Sequence, residues 1–431
     1  MSMMPNRRQF SRLAVLSVLM IFVLAVSTLA TGQTFSVIES FNGYNGAQPM
    51  AGLIFDTAGN LYGTAAEGGS GYGAVFELSP SNGSFKETLL YKFGTNGSTD
   101  GAYPSGGLVF DANGNLYGTT EHGGASNAGT VFELSPGLRG WTETVLHSFG
   151  GSDGAYPTSG LAIDAAGNLY GTTIQGGLYA NCTYSGGTFL CGTAFELSPG
   201  AGGSWSFQVI HNFGHNNDAY FPASGLTLDS AGNLYGECAL GGQYGKGLVY
   251  ELLPGQGGTW TEQILHQWGN GTDGIYPYGG LILDSAGNLY GTTSQSGVKG
   301  KMGTVFELTS TKSGWVEQNQ YYFGINTDGQ FPFSGLLMDS AGNLYGTTHN
   351  GGGHGYGIIY ELTPGPSGWT EKILYDLSGG SDGGISSATL VKDAAGSLYG
   401  TAWYGGNYPA CVAGPVAGCG VAFKIGPVAA K

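Results

Sequence analysis

A nine-residue phrase, Asp-Ala-Ala-Gly-Asn-Leu-Tyr-Gly-Thr at 164–172, recurs along the whole chain with small changes. Its copies begin at Asp56, Asp111, Asp164, Asp229, Asp284, Asp339 and Asp393, in steps of 55, 53, 65, 55, 55 and 54 residues. A near-constant period of this length means that one supersecondary unit is stacked many times, and it constrains the fold more than any single residue does. Gly accounts for 83 of 431 residues without a Gly-X-Y period, which excludes collagen. The glycines punctuate short alternating apolar runs, the pattern of an all-β chain.

One unit can be followed from residue 160. Residues 160–164 read as a short apolar strand a, and 164–168 as a turn. In that turn Asp accepts from backbone N–H groups two residues on, and Gly and Asn tolerate positive φ. Residues 169–173 read as strand b, followed by a loop containing Gly176 and Gly177. Residues 192–197 read as strand c, 198–200 as a turn, and 205–213 as the long strand d. A connector with Asp218 and Pro222 leads to the next unit. Four antiparallel strands per unit describe a β-propeller blade, with an open β-solenoid as the alternative.

The two ends of the chain separate these alternatives. Strands a, b and c occur seven times, whereas d follows c only six times, starting at Phe85, Trp141, Trp205, Trp260, Trp315 and Trp369. The last unit stops after c. The missing d is at the other end, where Val37-Ile38-Glu39-Ser40-Phe41 matches Val145-Leu146-His147-Ser148-Phe149. The expectation is an all-β, seven-bladed propeller of four antiparallel strands per blade, with the ring closed by the N-terminal strand completing the last blade. Closure removes the exposed sheet edges that an open stack would leave.

The succession Asp-x-x-Gly-Asn-Leu-Tyr-Gly-Thr, Gly-Gly, Gly-Thr-Val-Phe-Glu-Leu-Ser-Pro, Gly-Trp-Thr-Glu and Phe-x-x-x-x-Asp-Gly-x-x-Pro resembles the GloVer tandem-repeat family of exported bacterial proteins, over residues 33–425. The resemblance implies a propeller-like fold and export. It implies no particular activity, because the family is defined by its repeat. Its members carry C-terminal surface-sorting signals, and this chain departs from them by ending Ile425-Gly-Pro-Val-Ala-Ala-Lys431.

Residues 1–32 stand outside the repeat. Arg7, Arg8 and Arg12 precede an uncharged apolar run over 13–29, and small residues follow at Ala30 and Gly32. This is the layout of a secretory signal peptide, with an uncleaved anchor helix over the apolar run as the alternative, and Arg7-Arg8-Gln9-Phe10 resembles the twin-arginine type. The expected organisation is a signal peptide over 1–32, a propeller over 33–427 and a short tail over 428–431, with an extracellular, periplasmic or cell-surface location. Without the three leader arginines, 11 basic residues face 29 acidic ones. An acidic body with no basic run excludes nucleic acid as a partner and gives no reason for membrane contact. The body is expected to be a monomer.

Cys182 and Cys191 flank one loop, and Cys411 and Cys419 flank the equivalent loop of another unit. In an exported chain they read as two disulfides. Cys238 replaces the second Thr of Gly-Thr-Thr and reads as a buried free thiol. No metal or other cofactor is expected. The cysteines lack Cys-x-x-Cys spacing, and each repeated Asp brings too few oxygens for calcium. His147, His211 and His266 sit one per blade on outer strands, cannot converge on one metal, and read as positional equivalents, not ligands. Both Gly-x-Ser-x-Gly matches, at 150–154 and 379–383, fall in connectors rather than at a strand-to-helix turn.

Function is expected where equivalent positions differ. The two positions after strand b vary most, and they place Glu67, Glu121, His122, Gln175, Gln295, His349, Asn350, Trp403 and Tyr404 on one rim as candidate ligand-binding residues. No nucleophile–base–orienter set is visible, so no catalytic residue is assigned. The tyrosines and phenylalanines before the connector prolines read as packing. The leading expectation is a binding or interaction module for extracellular polysaccharide or another surface component, with an extracellular glycan or surface protein as partner. The alternatives are a glycan-acting lyase or hydrolase using Glu121, His122 or His349, and a structural surface protein without a small ligand.

Overall fold

The computed structural model describes residues 33–427 apart from 98, 181, 185–186, 216–217, 325–326, 409–410 and 412–416. The expected signal peptide and the tail lie outside the described residues. Seven four-stranded antiparallel cores repeat the order a-b-c-d, and short pairings between connectors and rim loops supplement them. In blade 3 these strands are Ala162–Ile163, Leu169–Thr173, Thr193–Pro199 and Trp205–Asn212. Blade 7 is Val391–Lys392, Leu398–Ala402 and Val421–Ile425, completed by Phe35–Ser40 from the N-terminal side. The closing pair runs from Phe35 opposite Ile425 to Ser40 opposite Val421. The propeller is therefore seven-bladed and closed by its first strand. Among the described residues no helix is long and apolar enough to cross a membrane.

The repeated phrase builds the a–b hairpin. Asp164 Oδ1 accepts from the N–H groups of Ala166 (2.8 Å) and Asn168 (2.9 Å). Its Oδ2 accepts from Asn168 Nδ2 (2.8 Å) and the Tyr170 hydroxyl (3.1 Å). The phrase is thus an Asx-type turn whose second carboxylate oxygen is held by the following strand. The Gly of Leu-Tyr-Gly is required by packing, because a Cβ at Gly171 would lie 2.5 Å from Phe195 Cζ. Strand a is only two residues long, shorter than the 160–164 expected from the apolar run. The Ser159 carbonyl before it accepts from Thr119 Oγ1 of the preceding blade (2.8 Å) instead of entering a ladder.

The core lies between blades. At the 1–2 junction Tyr62, Val75, Leu90 and Phe93 pack on Leu108, Leu116, Phe132 and Leu134. Equivalent clusters occupy the other junctions. No blade buries its apolar faces alone, so stability comes from neighbour-to-neighbour stacking. Both expected disulfides form, Cys182–Cys191 and Cys411–Cys419. Cys238 is a buried free thiol.

The connectors carry a sevenfold backbone feature. Gln48, Tyr103, Tyr156, Phe221, Tyr276, Phe331 and Ile385 all have left-handed φ, between 52° and 64°. Six of them precede proline, and Ile385 precedes Ser386. Side chains of this size rarely adopt that conformation, which costs on the order of 1–3 kcal/mol each. Two hydrogen bonds hold it in place. Tyr156 donates its N–H to Ala128 O of the preceding blade (2.8 Å), and its carbonyl accepts from Ile174 N–H of its own blade (3.2 Å). The connectors therefore stitch blade to blade.

Candidate functional site

The segments before strand a from every blade surround a central cavity of about 870 Å³. Its wall has two distinct layers of side chains. One is the first residue after strand b. In the left-handed connector residue the carbonyl accepts that residue's N–H, as in Glu121 to Tyr103 O (3.0 Å), His349 to Phe331 O (3.1 Å) and Trp403 to Ile385 O (3.0 Å). Glu121, His349 and Trp403 line the cavity. The other layer is the residue just after the connector proline or its Ser386 counterpart. Met50, Ser105, Thr158, Ala223, Tyr278, Phe333 and Ser387 occupy it, and all seven face the cavity.

The remaining rim candidates are placed differently. Glu67, His122, Gln175, Gln295, Asn350 and Tyr404 pair through their backbones with the connector, opposite Ala47, Ala102, Ala155, Ile275, Gln330 and Gly384. Their conformation serves the blade. His122 lies between Tyr103 (5.5 Å) and Tyr156 (5.1 Å), with Nε2 3.6 Å from Glu121 Oε1. Burial raises the pKa of the Tyr404 hydroxyl, and the nearby Glu67 charge adds to the effect. Sequence reasoning missed the layer after the proline. It weighed the aromatic residue before the proline, and of these only Phe221 reaches the cavity.

The cavity is asymmetric. Blades 5 to 7 contribute a continuous aromatic arc: Tyr278 to Phe333 at 5.3 Å, Phe333 to His349 at 5.3 Å, His349 to Trp403 at 5.7 Å and Trp403 to Tyr404 at 6.4 Å between ring centroids. These edge-to-face contacts hold the rings as one surface. Burial lowers the His349 pKa, partly offset by its 2.7 Å hydrogen bond to Asn350, so the ring is neutral at pH 7. Ser105 Oγ, Ser224 Oγ, Ser387 Oγ and Trp403 Nε1 are buried polar atoms without a partner among the described residues, and all four residues line the cavity. Buried polar groups are ordinarily satisfied, so four such atoms around the cavity, from blades 2, 4 and 7, point to a polar occupant or ordered water. Among the described lining residues Glu121 is the single carboxylate. Paired-carboxylate chemistry has no second member there.

Residues 22–184 and 175–413 match the Gloeobacter/Verrucomicrobia repeat, which covers most of the chain. The chain belongs to this repeat family. A search of curated proteins gives no match. Among solved structures, a candidate 6-phosphogluconolactonase from Bacteroides uniformis is similar at 12% identity, covering 81% of this chain and 88% of that one, with a TM-score of 0.49. PorZ, a surface component of the type-IX secretion system of Porphyromonas gingivalis, is similar at 14% identity over 85% of this chain and 46% of that one, TM-score 0.49. A Dyadobacter fermentans protein of unknown function is similar at 13% identity over 92% and 100%, TM-score 0.44. At these identities and scores the likenesses carry no argument about activity.

This Gloeobacter/Verrucomicrobia-repeat propeller departs from its own pattern at one place beside the cavity. In six blades the first Thr of Gly-Thr donates to a carbonyl of the next blade: Thr64 to Gly106, Thr119 to Ser159, Thr172 to Ser224, Thr292 to Ser334, Thr347 to Ala388 and Thr401 to Ala51, at 2.8–3.4 Å. In blade 4 this residue is Glu237, fully buried. Its Oε2 accepts from Gly280 N–H at 2.9 Å, and its Oε1 has no partner. Gly280 takes φ +81°, whereas Gly107, Gly160, Gly225 and Gly335 at the same place do not enter the left-handed region. The 279–280 peptide is flipped so that it presents its N–H to the carboxyl group, and the flip needs glycine. Burial pushes the Glu237 pKa up to about 8, with the Gly280 hydrogen bond opposing it.

Proposed function

We propose that this propeller is a binding module whose central cavity takes a carbohydrate, in keeping with a partner among extracellular polysaccharides. The observation that carries this reading is the pairing of the aromatic arc Tyr278–Phe333–His349–Trp403 with the unpartnered hydroxyls of Ser105, Ser224 and Ser387 and the indole N–H of Trp403. A sugar ring has an apolar face that stacks on aromatic rings and an equatorial belt of hydroxyls that seeks donors and acceptors. A concave, largely apolar wall with a few convergent polar groups suits such a ligand. The lone Glu121 carboxylate favours recognition over hydrolysis.

A glycan-array screen on the mature body, followed by calorimetry on the hits, tests the proposal. Trp403→Ala removes the indole at one end of the arc and one of the unpartnered donors, and is expected to weaken binding at least about tenfold, the cost of losing a buried aromatic contact. Glycan binding that is indifferent to both Trp403→Ala and Phe333→Ala would place the ligand elsewhere and overturn the assignment.

A further inference from the structure

At each junction the outer strand of one blade, the connector that leaves it and the outer strand of the next blade bring three side chains together. At the 1–2 and 5–6 junctions a tyrosine hydroxyl donates to the connector Asp, Tyr91 to Asp100 (3.1 Å) and Tyr321 to Asp328 (3.4 Å). Glu143 and Glu371 follow from the next strand. At the 3–4 and 4–5 junctions the tyrosine is replaced by histidine. His211 Nε2 lies 3.1 Å from Asp218, and His266 Nε2 lies 2.9 Å from Asp273. Glu262 and Glu317 complete these two sets, and within each set the three ligand atoms lie within 4.8 Å of one another. At the 2–3 junction His147 bonds Asp153 at 2.9 Å, but Phe207 stands where the Glu would be and stacks on the imidazole at 3.7 Å. The three histidines lie at separate junctions, and the sequence alone reads them as positional equivalents, not ligands. His211 and His266 each meet carboxylates from a connector and from the neighbouring blade, whereas His147 meets the connector Asp153 and the ring of Phe207.

The 4–5 junction has further features. His266, Asp273, Glu317 and Asn319 line a cleft of about 550 Å³. Glu317 Oε1 and Asn319 Oδ1 are buried oxygens without a partner among the described residues. Asp273 is fixed by Gly274 N–H on Oδ1 (2.9 Å), which leaves Oδ2 to the imidazole. We propose that this junction binds a divalent transition-metal ion through His266 Nε2, Asp273 Oδ2 and a Glu317 oxygen, with Asn319 Oδ1 as a further oxygen donor. One imidazole among oxygen ligands suits zinc or its first-row neighbours, whereas calcium and magnesium take oxygen alone. The ion replaces the proton shared between His266 and Asp273. Ligand atoms at most 4.8 Å apart reach metal-bond distances of about 2.0–2.2 Å by small side-chain rotations. Because the ligands come from two blades, the ion staples blade 4 to blade 5, and it stabilises the fold by mass action.

The chain supplies its own controls. His266→Tyr installs the residue used at three other junctions, where Tyr91, Tyr321 and Tyr375 bond Asp100, Asp328 and Asp382, so the hydrogen bond to Asp273 and the fold are retained while the nitrogen ligand is lost. His147→Tyr alters a junction that has no Glu. The full chain, prepared without a histidine tag and stripped with chelator, is titrated with zinc chloride by calorimetry and followed by thermal melting. The expected result is a micromolar or tighter site and a zinc-dependent rise in melting temperature, unchanged in His147→Tyr and weakened at least tenfold in His266→Tyr. Zinc binding no tighter than millimolar, binding unaffected by His266→Tyr, or displacement of zinc by equimolar calcium would each overturn the proposal.

Discussion

Glu237→Thr gives blade 4 the residue found at the same place in the six other blades, and its consequence for stability follows from burial alone. In the unfolded chain this carboxyl titrates at its ordinary 4.5, while in the folded chain burial raises it to about 8. Between these values the native state holds a proton that the unfolded state has shed. Unfolding then releases a proton, and stability falls as pH rises from about 4.5 to about 8, then levels off. The separation corresponds to about 5 kcal/mol, a large fraction of a typical folding free energy. Thr does not titrate, and its hydroxyl donates to the Gly279 carbonyl as Thr292 does to Ser334 (3.1 Å), once the 279–280 peptide turns back. The smaller side chain leaves a void costing about 1–2 kcal/mol at any pH. The variant is therefore slightly less stable than the parent at pH 5 and about 3–4 kcal/mol more stable at pH 9. Urea titrations of both proteins at pH 5, 7 and 9, in the presence of chelator, measure the difference. The outer-strand carboxyls that burial also raises, Glu87, Glu143, Glu317 and Glu371 to about 7 and Glu262 to about 8, are common to both and cancel. Parallel pH profiles for parent and variant would refute the reasoning, as would a variant structure in which Gly280 keeps its positive φ.

Other consequences are smaller. Tyr360 stands where five blades carry Phe, and its buried hydroxyl lies against Gly346 without a partner. Tyr360→Phe is expected to raise the unfolding free energy by about 1 kcal/mol in urea titration, and a loss would show that the hydroxyl has a partner such as water. The Cys182–Cys191 bridge closes a loop with a sequence separation of 9, so replacing both cysteines with Ser is expected to cost about 2–3 kcal/mol by the chain-entropy relation. An unchanged urea midpoint would mean that the loop contributes nothing to the fold.

What was legible in the sequence was whatever the chain repeats locally. The hairpin chemistry of Asp164 operates within a few residues, so one copy read correctly gives the turn of all seven, in each of which the Asp accepts from the N–H four residues on. Ring closure was legible because a missing strand d and a surplus strand at the other end are facts of order along the chain, and Phe35–Ser40 pairs as that order requires. The site was only partly legible. Variation after strand b pointed to the rim, but of each pair it is the first residue that can turn inward, as Glu121, His349 and Trp403 do, while the second is held by backbone pairing to the connector. That division follows from strand alternation and from the connector's position, and it has no signature in residue type.

The layer after the proline was missed for a related reason. Met50, Ser105, Thr158, Ala223, Tyr278, Phe333 and Ser387 vary as freely as the rim, and a comparison of repeats could have found them. The conspicuous aromatic residues lie before the proline instead, and the left-handed backbone there commits them to the link between blades. Glu237 was equally visible as a carboxyl in place of Thr, yet its effect is on the backbone of the next blade, 43 residues away. A ring makes such effects possible because every blade is packed against two others. Differences between repeats are therefore best read in pairs, each residue against the position it meets in the following blade. On that basis Glu237 with Gly280, His266 with Glu317, and His147 with Phe207 are three compensations at one kind of interface.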